Sequence, residues 1–334
     1  MITPIQTPWE PDIWHAELRL AIRSSQALLK FVGVDQKSVL DAPEFPVLVP
    51  RGFAARMKTG DAQDPLLRQV LADPAELEDV AGFSKDPLAE TDDTSGISPA
   101  PGLIHKYRGR ALLITTSGCA VNCRYCFRRH FPYAEHREQK HQQALAAIAS
   151  DPTITEIILS GGDPLLLDDR ALASLITSLE GIPHLQRLRI HSRIPVVLPE
   201  RITAQLLALL NNTRLNTVMV IHSNHPNELD ATTARAFAAL KTSGVWMLNQ
   251  AVLLHGVNDI IEVQVALAER LFQQGVQPYY LHMPDHVAGT AHFFVNDDDA
   301  KQLYQGMQAE LPGYLLAKLV REIPGKDSKQ VVNI

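Results

Sequence analysis

The sequence predicts an α/β fold: an incomplete barrel of six β/α units with an N-terminal helical extension. Three observations carry this. From residue 111 onward, six short runs rich in Val, Ile, Leu and aromatic residues alternate with amphipathic stretches, the rhythm of parallel strands joined by crossover helices. The 334 residues are long for one ordinary domain and suit a barrel with an appendage. A cluster of cysteines follows the first run, where a barrel carries its functional loops.

The elements are justified in order. Trp14–Leu29 reads as a helix. Pro46–Met57 is mixed, because Pro50 would interrupt a helix. The polar stretch Asp86–Ala100, with its Gly and Pro, reads as a linker. The strand-like runs are Ala111–Thr115, Glu156–Ser160, Arg187–His191, Thr217–Ile221, Val245–Asn249 and Pro278–Met283. Helical patterns between them include Asp168–Leu179, Glu200–Leu210, Glu228–Thr242 and Ile261–Gln274. Six such units fall short of the eight that close a barrel. The expected division is 1–100 for the helical extension and linker, 101–310 for the barrel, and 311–334 for a C-terminal segment.

Composition narrows the function classes. Hydrophobic content of 46% and charged content of 20% are those of a soluble globular enzyme. A net charge of -6 gives no broad basic field, so nucleic acid is not an expected partner. No apolar run reaches membrane-spanning length, and Met1–Gln6 lacks the layout of a signal peptide. Three closely spaced cysteines and no others do not make a disulfide framework, so a reducing cytoplasm is the expected location. Oligomeric state is not legible.

Those cysteines are Cys119, Cys123 and Cys126, spaced C-x3-C-x2-C. Three thiolates so placed can converge on one metal object. On a four-iron cluster they leave one iron open to bind and activate a small molecule. Two other readings stand beside this. His130, four residues past Cys126, would complete a Cys3His zinc site, and a chance group of buried cysteines needs no metal. After the second run comes Ser160-Gly161-Gly162-Asp163-Pro164, whose glycines let backbone approach a ligand closely, or simply turn the chain.

The cysteine run and its surroundings resemble the radical S-adenosylmethionine (SAM) superfamily. The resemblance implies a [4Fe-4S] cluster held by Cys119, Cys123 and Cys126, SAM on the open iron, and reductive cleavage of SAM to a radical. It also implies that Gly161, Gly162 and Asp163 lie at the amino group of SAM. A narrower resemblance covers nearly the whole chain from Arg51 to Lys329. Gly60–Val70, Pro101–Tyr107, Cys123–Arg129, His222–Glu228 and Leu248–Leu254 are similar to the lysine 2,3-aminomutase family.

That family uses pyridoxal phosphate (PLP) as well as SAM. Register implies that Lys329 carries PLP, with Lys326 as a rival because the glycines usual before the lysine are mostly missing here. It places Tyr107 and Arg110 near the PLP phosphate, and His222 and Gln250 at SAM. It assigns Arg128 to the substrate carboxylate, and Asp285 and Glu322 to the side-chain ammonium of lysine. Aspartate is usual where Glu322 stands. His282 and His286 are not expected to bind a second metal. The implied reaction converts α-lysine to β-lysine. The run Cys126–Tyr133 is most like a short bacterial branch that supplies β-lysine to a ligase acting on elongation factor P. Two alternatives remain: an aminomutase for another amino acid, and a zinc-stabilised binding protein without catalysis.

Overall fold

The structure is a computed structural model that describes residues 11–35, 40, 44–91, 96–133 and 141–333. The first segment holds α1 (Pro11–Arg19) and α2 (Ser25–Val32), followed by the short turns α3 (Arg51–Ala54) and α4 (Pro65–Arg68). The single helix expected over Trp14–Leu29 is corrected: the chain breaks after Arg19. Ile22 leaves the helix to exchange backbone hydrogen bonds with Val49, at 2.8 and 2.9 Å. Ser24 then caps α2 by accepting from the Ala27 N–H. Pro50 sits just before α3, the position where a missing N–H costs least.

The barrel follows as β1 (Leu103–Tyr107), β2 (Arg110–Thr116), α5 (His141–Ser150), β3 (Glu156–Gly161), α6 (Asp169–Glu180) and β4 (Arg187–Ser192). It continues with α7 (Ile194–Val197), α8 (Ala204–Asn212), β5 (Asn216–His222), α9 (Ala231–Thr242), β6 (Trp246–Val252), α10 (Ile261–Gln273) and β7 (Gln277–His282). The chain ends with α11 (Asp297–Glu310), β8 (Lys318–Arg321) and β9 (Gln330–Val331). The nine strands form one sheet in sequence order. Strands β2 to β8 are parallel, while β1 and β9 pair antiparallel at the two edges.

The six expected strands are β2 to β7, and six β/α units run from β2 to α11. A seventh parallel strand, β8, follows them, and the two antiparallel edges leave the barrel open. β8 escapes a sequence reading because it is only Lys-Leu-Val-Arg, too short for a period. β3 shows why the parallel strands are apolar throughout: Ile157, Ile158 and Leu159 are all buried, since helices cover one face and side chains fill the other. α6 buries Leu172, Leu175, Ile176 and Leu179, a stripe at helical spacing, and Asp168 caps it by accepting from the Ala171 N–H.

One apolar core runs from Trp14 to Val332, so the N-terminal helices and the C-terminal strands pack on the same interior as the barrel. The polar stretch 86–91 is not a free linker. Leu88 is buried, and Asp86 accepts from the N–H groups of Glu90 and Thr91, at 3.0 and 2.9 Å. Among the described residues, no helix is long and apolar enough to cross a membrane.

Candidate active site

Parallel strands put their C-terminal ends at one mouth of a barrel, and ligands collect there. Here that mouth opens into a cavity of about 270 Å³. All but the rival lysine Lys326 of the residues singled out by the resemblance line it: Tyr107, Arg110, Cys119, Cys123, Cys126, Arg128, Gly161, Gly162, Asp163, His222, Gln250, Asp285, Glu322 and Lys329. Lys326 lies in the exposed turn between β8 and β9 and does not line the cavity.

The cysteine loop leaves β2 and is clamped by the N-terminal extension. The Arg124 N–H donates to Gln69 O (2.8 Å), and Asn122 N–H to Leu48 O (3.0 Å). The guanidinium of Arg124, fully buried, is paired with Glu76, which also takes Arg129 Nη2 at 2.7 Å. Burial works against the Glu76 charge, but Arg124 and Arg129 hold its carboxyl below the usual range. The extension therefore fixes the loop that carries the thiols.

Burial, then the neighbouring thiols, push Cys119 well up, and Cys126 up to about 11. The protein alone keeps these groups protonated. A bound cationic metal centre would reverse that, since a coordinating thiol is deprotonated outright. The thiols are not gathered around one ion-sized point; among the described residues no such group is. His130 Nε2 lies 3.1 Å from Ala288 O and does not line the cavity, so it is not placed as a fourth ligand. Arg193 Nη1 donates to Cys123 Sγ at 2.7 Å.

Gly161 and Gly162 answer to sterics. Gly161 has φ +112, and a Cβ there would meet Thr116 O at 2.9 Å. At Gly162 a Cβ would stand 2.0 Å from Gly118 O. The Gly162 N–H donates to Thr116 O and the Asp163 N–H to Gly118 O, each at 2.7 Å. The glycines thus lock the loop after β3 against the cysteine loop. Asp163 is buried, and its two oxygens accept from Ser192 Oγ (2.7 Å) and from the N–H groups of Leu165 (3.1 Å), Arg193 (2.8 Å) and Ile194 (3.1 Å). Its carboxylate is spent on joining the loops after β3 and β4.

His222 and Gln250 face each other in register on β5 and β6, with Gln250 Nε2 2.8 Å from His222 Nε2. Burial, with Arg193 next, pushes His222 down to about 3, so the imidazole is neutral. Nearby, His191 and His282 are also held neutral by burial, and each keeps an unpartnered buried Nε2 in the cavity wall. Orphaned polar atoms facing a cavity fit a polar guest.

The same cavity also holds a chain of alternating charge that starts on the cysteine loop. Arg128 pairs with Glu90, Glu90 with Lys106 (3.0 Å), Lys106 with Glu322 (3.0 Å), and Glu322 with Lys329 (2.6 Å). Arg110 stacks on the Tyr107 ring at 4.6 Å, where burial and then Glu322 push the phenol up. Asp285 has no ion-pair partner among the described residues. Burial, then Glu322, push its carboxyl up to about 7. A cavity wall with a lysine, an arginine on an aromatic ring, and free imidazoles suits PLP. The three cysteines suit the cluster, and the cavity they line leaves room for SAM.

Sequence reading missed Glu90, Lys106 and Arg193. Glu90 sits in an aperiodic polar stretch and Arg193 in a loop, so nothing local marks them. Lys106 stands beside Tyr107 within a quoted motif and passes for an ordinary strand lysine.

Comparisons with known proteins agree with this geometry. The Radical SAM superfamily model matches residues 113–263. The chain is 46% identical to the L-lysine 2,3-aminomutase of Escherichia coli, covering 100% of this chain and 98% of that protein. It is 46% identical to the L-lysine 2,3-aminomutase of Haemophilus influenzae, covering 96% and 97%. It is 33% identical to that of Clostridium subterminale, covering 96% of this chain and 77% of that longer protein. With likeness of this extent over both loops of the cavity, the chain belongs to the lysine 2,3-aminomutase family of radical SAM isomerases.

Proposed function

We propose that this protein is a PLP-dependent L-lysine 2,3-aminomutase that converts α-lysine to β-lysine. The carrying observation is that one cavity is lined both by the three cysteines and by Arg128, Asp285, Glu322 and Lys329. In this reading Cys119, Cys123 and Cys126 hold the [4Fe-4S] cluster. Gly161, Gly162 and Asp163 shape the SAM pocket, with His222 and Gln250 on its wall. Lys329 carries PLP, and Tyr107 and Arg110 lie by its phosphate. When bound, the cluster and SAM supply an organic radical, and PLP supplies an electron sink at the substrate nitrogen.

The chain's own residues orient the substrate. Arg128 takes the α-carboxylate, and the half-buried Asp285 takes the side-chain ammonium, with Glu322 beside it. Opposite charges at opposite ends admit a cationic amino acid in one direction only. Enclosure keeps water from a reactive intermediate, and proximity, rather than acid–base strength, sets the rate. Lys326 is exposed and outside the cavity, which supports Lys329 as the PLP lysine.

The reading extends to the cytoplasm and to elongation factor P, whose lysyl ligase would consume the β-lysine. Identity of 46% to the Escherichia coli relative against 33% to the Clostridium subterminale relative supports the short branch. The test is anaerobic incubation of the reconstituted protein with SAM, PLP, reductant and single amino acids. β-Lysine from lysine alone is expected. A different amino acid rearranged in preference, or none, overturns the assignment. Loss of β-lysyl mass from elongation factor P in a strain lacking this protein checks the partner.

A further inference from the structure

Ala89 has φ 50, and among the described residues it is the one non-glycine residue with positive φ. A Cβ makes this left-handed conformation costly, and such strain persists only where surrounding structure imposes it. The surroundings are present. Ser84 moors the segment to the barrel, its N–H donating to His286 O (2.9 Å) and its O accepting from the Ala288 N–H (2.8 Å). Asp86 closes the turn on the N–H groups of Glu90 and Thr91. The outcome is that Glu90 turns inward, with a side chain only 6% exposed, into the cavity wall.

Glu90 meets Arg128 through two parallel bonds, from Nε (2.7 Å) and Nη2 (3.0 Å). These occupy one edge of the planar guanidinium. On the other edge, among the described residues, Nη1 has only Ser160 Oγ, at 3.4 Å. An unpinned arginine would sweep many rotamers and lose that freedom on meeting a carboxylate. Pinned by one edge, it presents the other already aligned. Lys106 continues the network from Glu90 to Glu322, so the anion-binding and cation-binding ends of the cavity are mechanically joined.

We propose that Glu90 is a positioning residue for substrate recognition, holding Arg128 so that its free edge receives the substrate α-carboxylate. This rests on the reading of Arg128 as the carboxylate site. Glu90 takes the opposite edge and so prepares Arg128 instead of competing for it.

The test uses the reconstituted holoenzyme, comparing lysine with lysinamide, which lacks the carboxylate charge. In Glu90→Gln, KM for lysine should rise about tenfold or more, with kcat within about threefold and the inhibition constant of lysinamide nearly unchanged. Glu90→Asp keeps the charge but retracts it by one methylene. It should show the same split in smaller measure, and it stands in if Glu90→Gln fails to fold. A fall in KM for lysine would make Glu90 a competitor. A parallel loss for lysine and lysinamide would make it a structural staple. Either result overturns the inference. Arg128→Lys separates the two readings. If it loses the preference for lysine while Glu90→Gln keeps it, only the role of Glu90 falls. If it keeps that preference, the carboxylate site lies elsewhere and both readings fall.

Discussion

Lys329 Nζ lies 2.6 Å from Glu322 Oε2, seven residues back in the chain, across the turn that joins β8 to β9. Burial opposes the Glu322 charge, but Lys329 and Lys106 outweigh it and hold the carboxyl far below the usual range. The pair fixes the one tail lysine that faces the cavity. Borohydride reduction of the PLP-loaded protein, followed by peptide mapping, should therefore place the pyridoxyl group on Lys329. Label on Lys326 would place the cofactor outside the cavity and overturn this geometry.

Asp285 gives a pH prediction. Its folded-state pKa is pushed up to about 7 by burial and then by Glu322. The unfolded chain releases this proton near the ordinary aspartate value of about 3.9. The folded protein thus holds the extra proton between those values, and its stability falls as pH rises through that window, then levels off above it. Asp285→Asn should remove this fall and leave the cofactor-free protein roughly 2–4 kcal/mol more stable than the parent at pH 8. Urea melts at pH 5 and pH 8 check it; equal slopes in parent and variant would refute it.

The same substitution should cripple lysine use. An ammonium left facing a neutral amide loses its charge partner, a cost of roughly 3–5 kcal/mol. The iron content and the Lys329 label should stay at parental levels. In the parent, KM for lysine should fall as pH rises toward about 7 and Asp285 ionises. A variant that turns over lysine like the parent would move the ammonium site elsewhere.

Gly162→Ala tests the contact between the two loops. A Cβ 2.0 Å from Gly118 O forces backbone apart, because no flexible side chain is there to yield. The loop carrying Cys119 must shift, so the variant should lose most of its iron and sulfide after reconstitution, as Cys126→Ala should. Full cluster content in Gly162→Ala would show that the loops do not depend on this packing.

Much of this protein was legible in its sequence. The β/α rhythm gave β2 to β7, because strands buried on both faces must be apolar along their length. The cysteine spacing and the glycine pair marked two loops, because few residue types meet those chemical and steric demands. Register with a known family then named Arg128, Asp285, Glu322 and Lys329, all of which line the cavity.

Other features were decided by tertiary structure alone. The break in the first helix depends on Val49, which draws Ile22 into a bridge. Strand β8 exists because β7 offers an edge to four residues too few to show a period. Glu90 and Arg128 are 38 residues apart, and Lys106 and Glu322 are 216 apart, so no local pattern relates them. Sequence determined the fold class and the chemically demanding positions, since periodicity and residue type are local properties. Which charges pair, and which half-buried acid has no ion-pair partner among the described residues, was set only when the fold brought distant segments into one cavity of low dielectric.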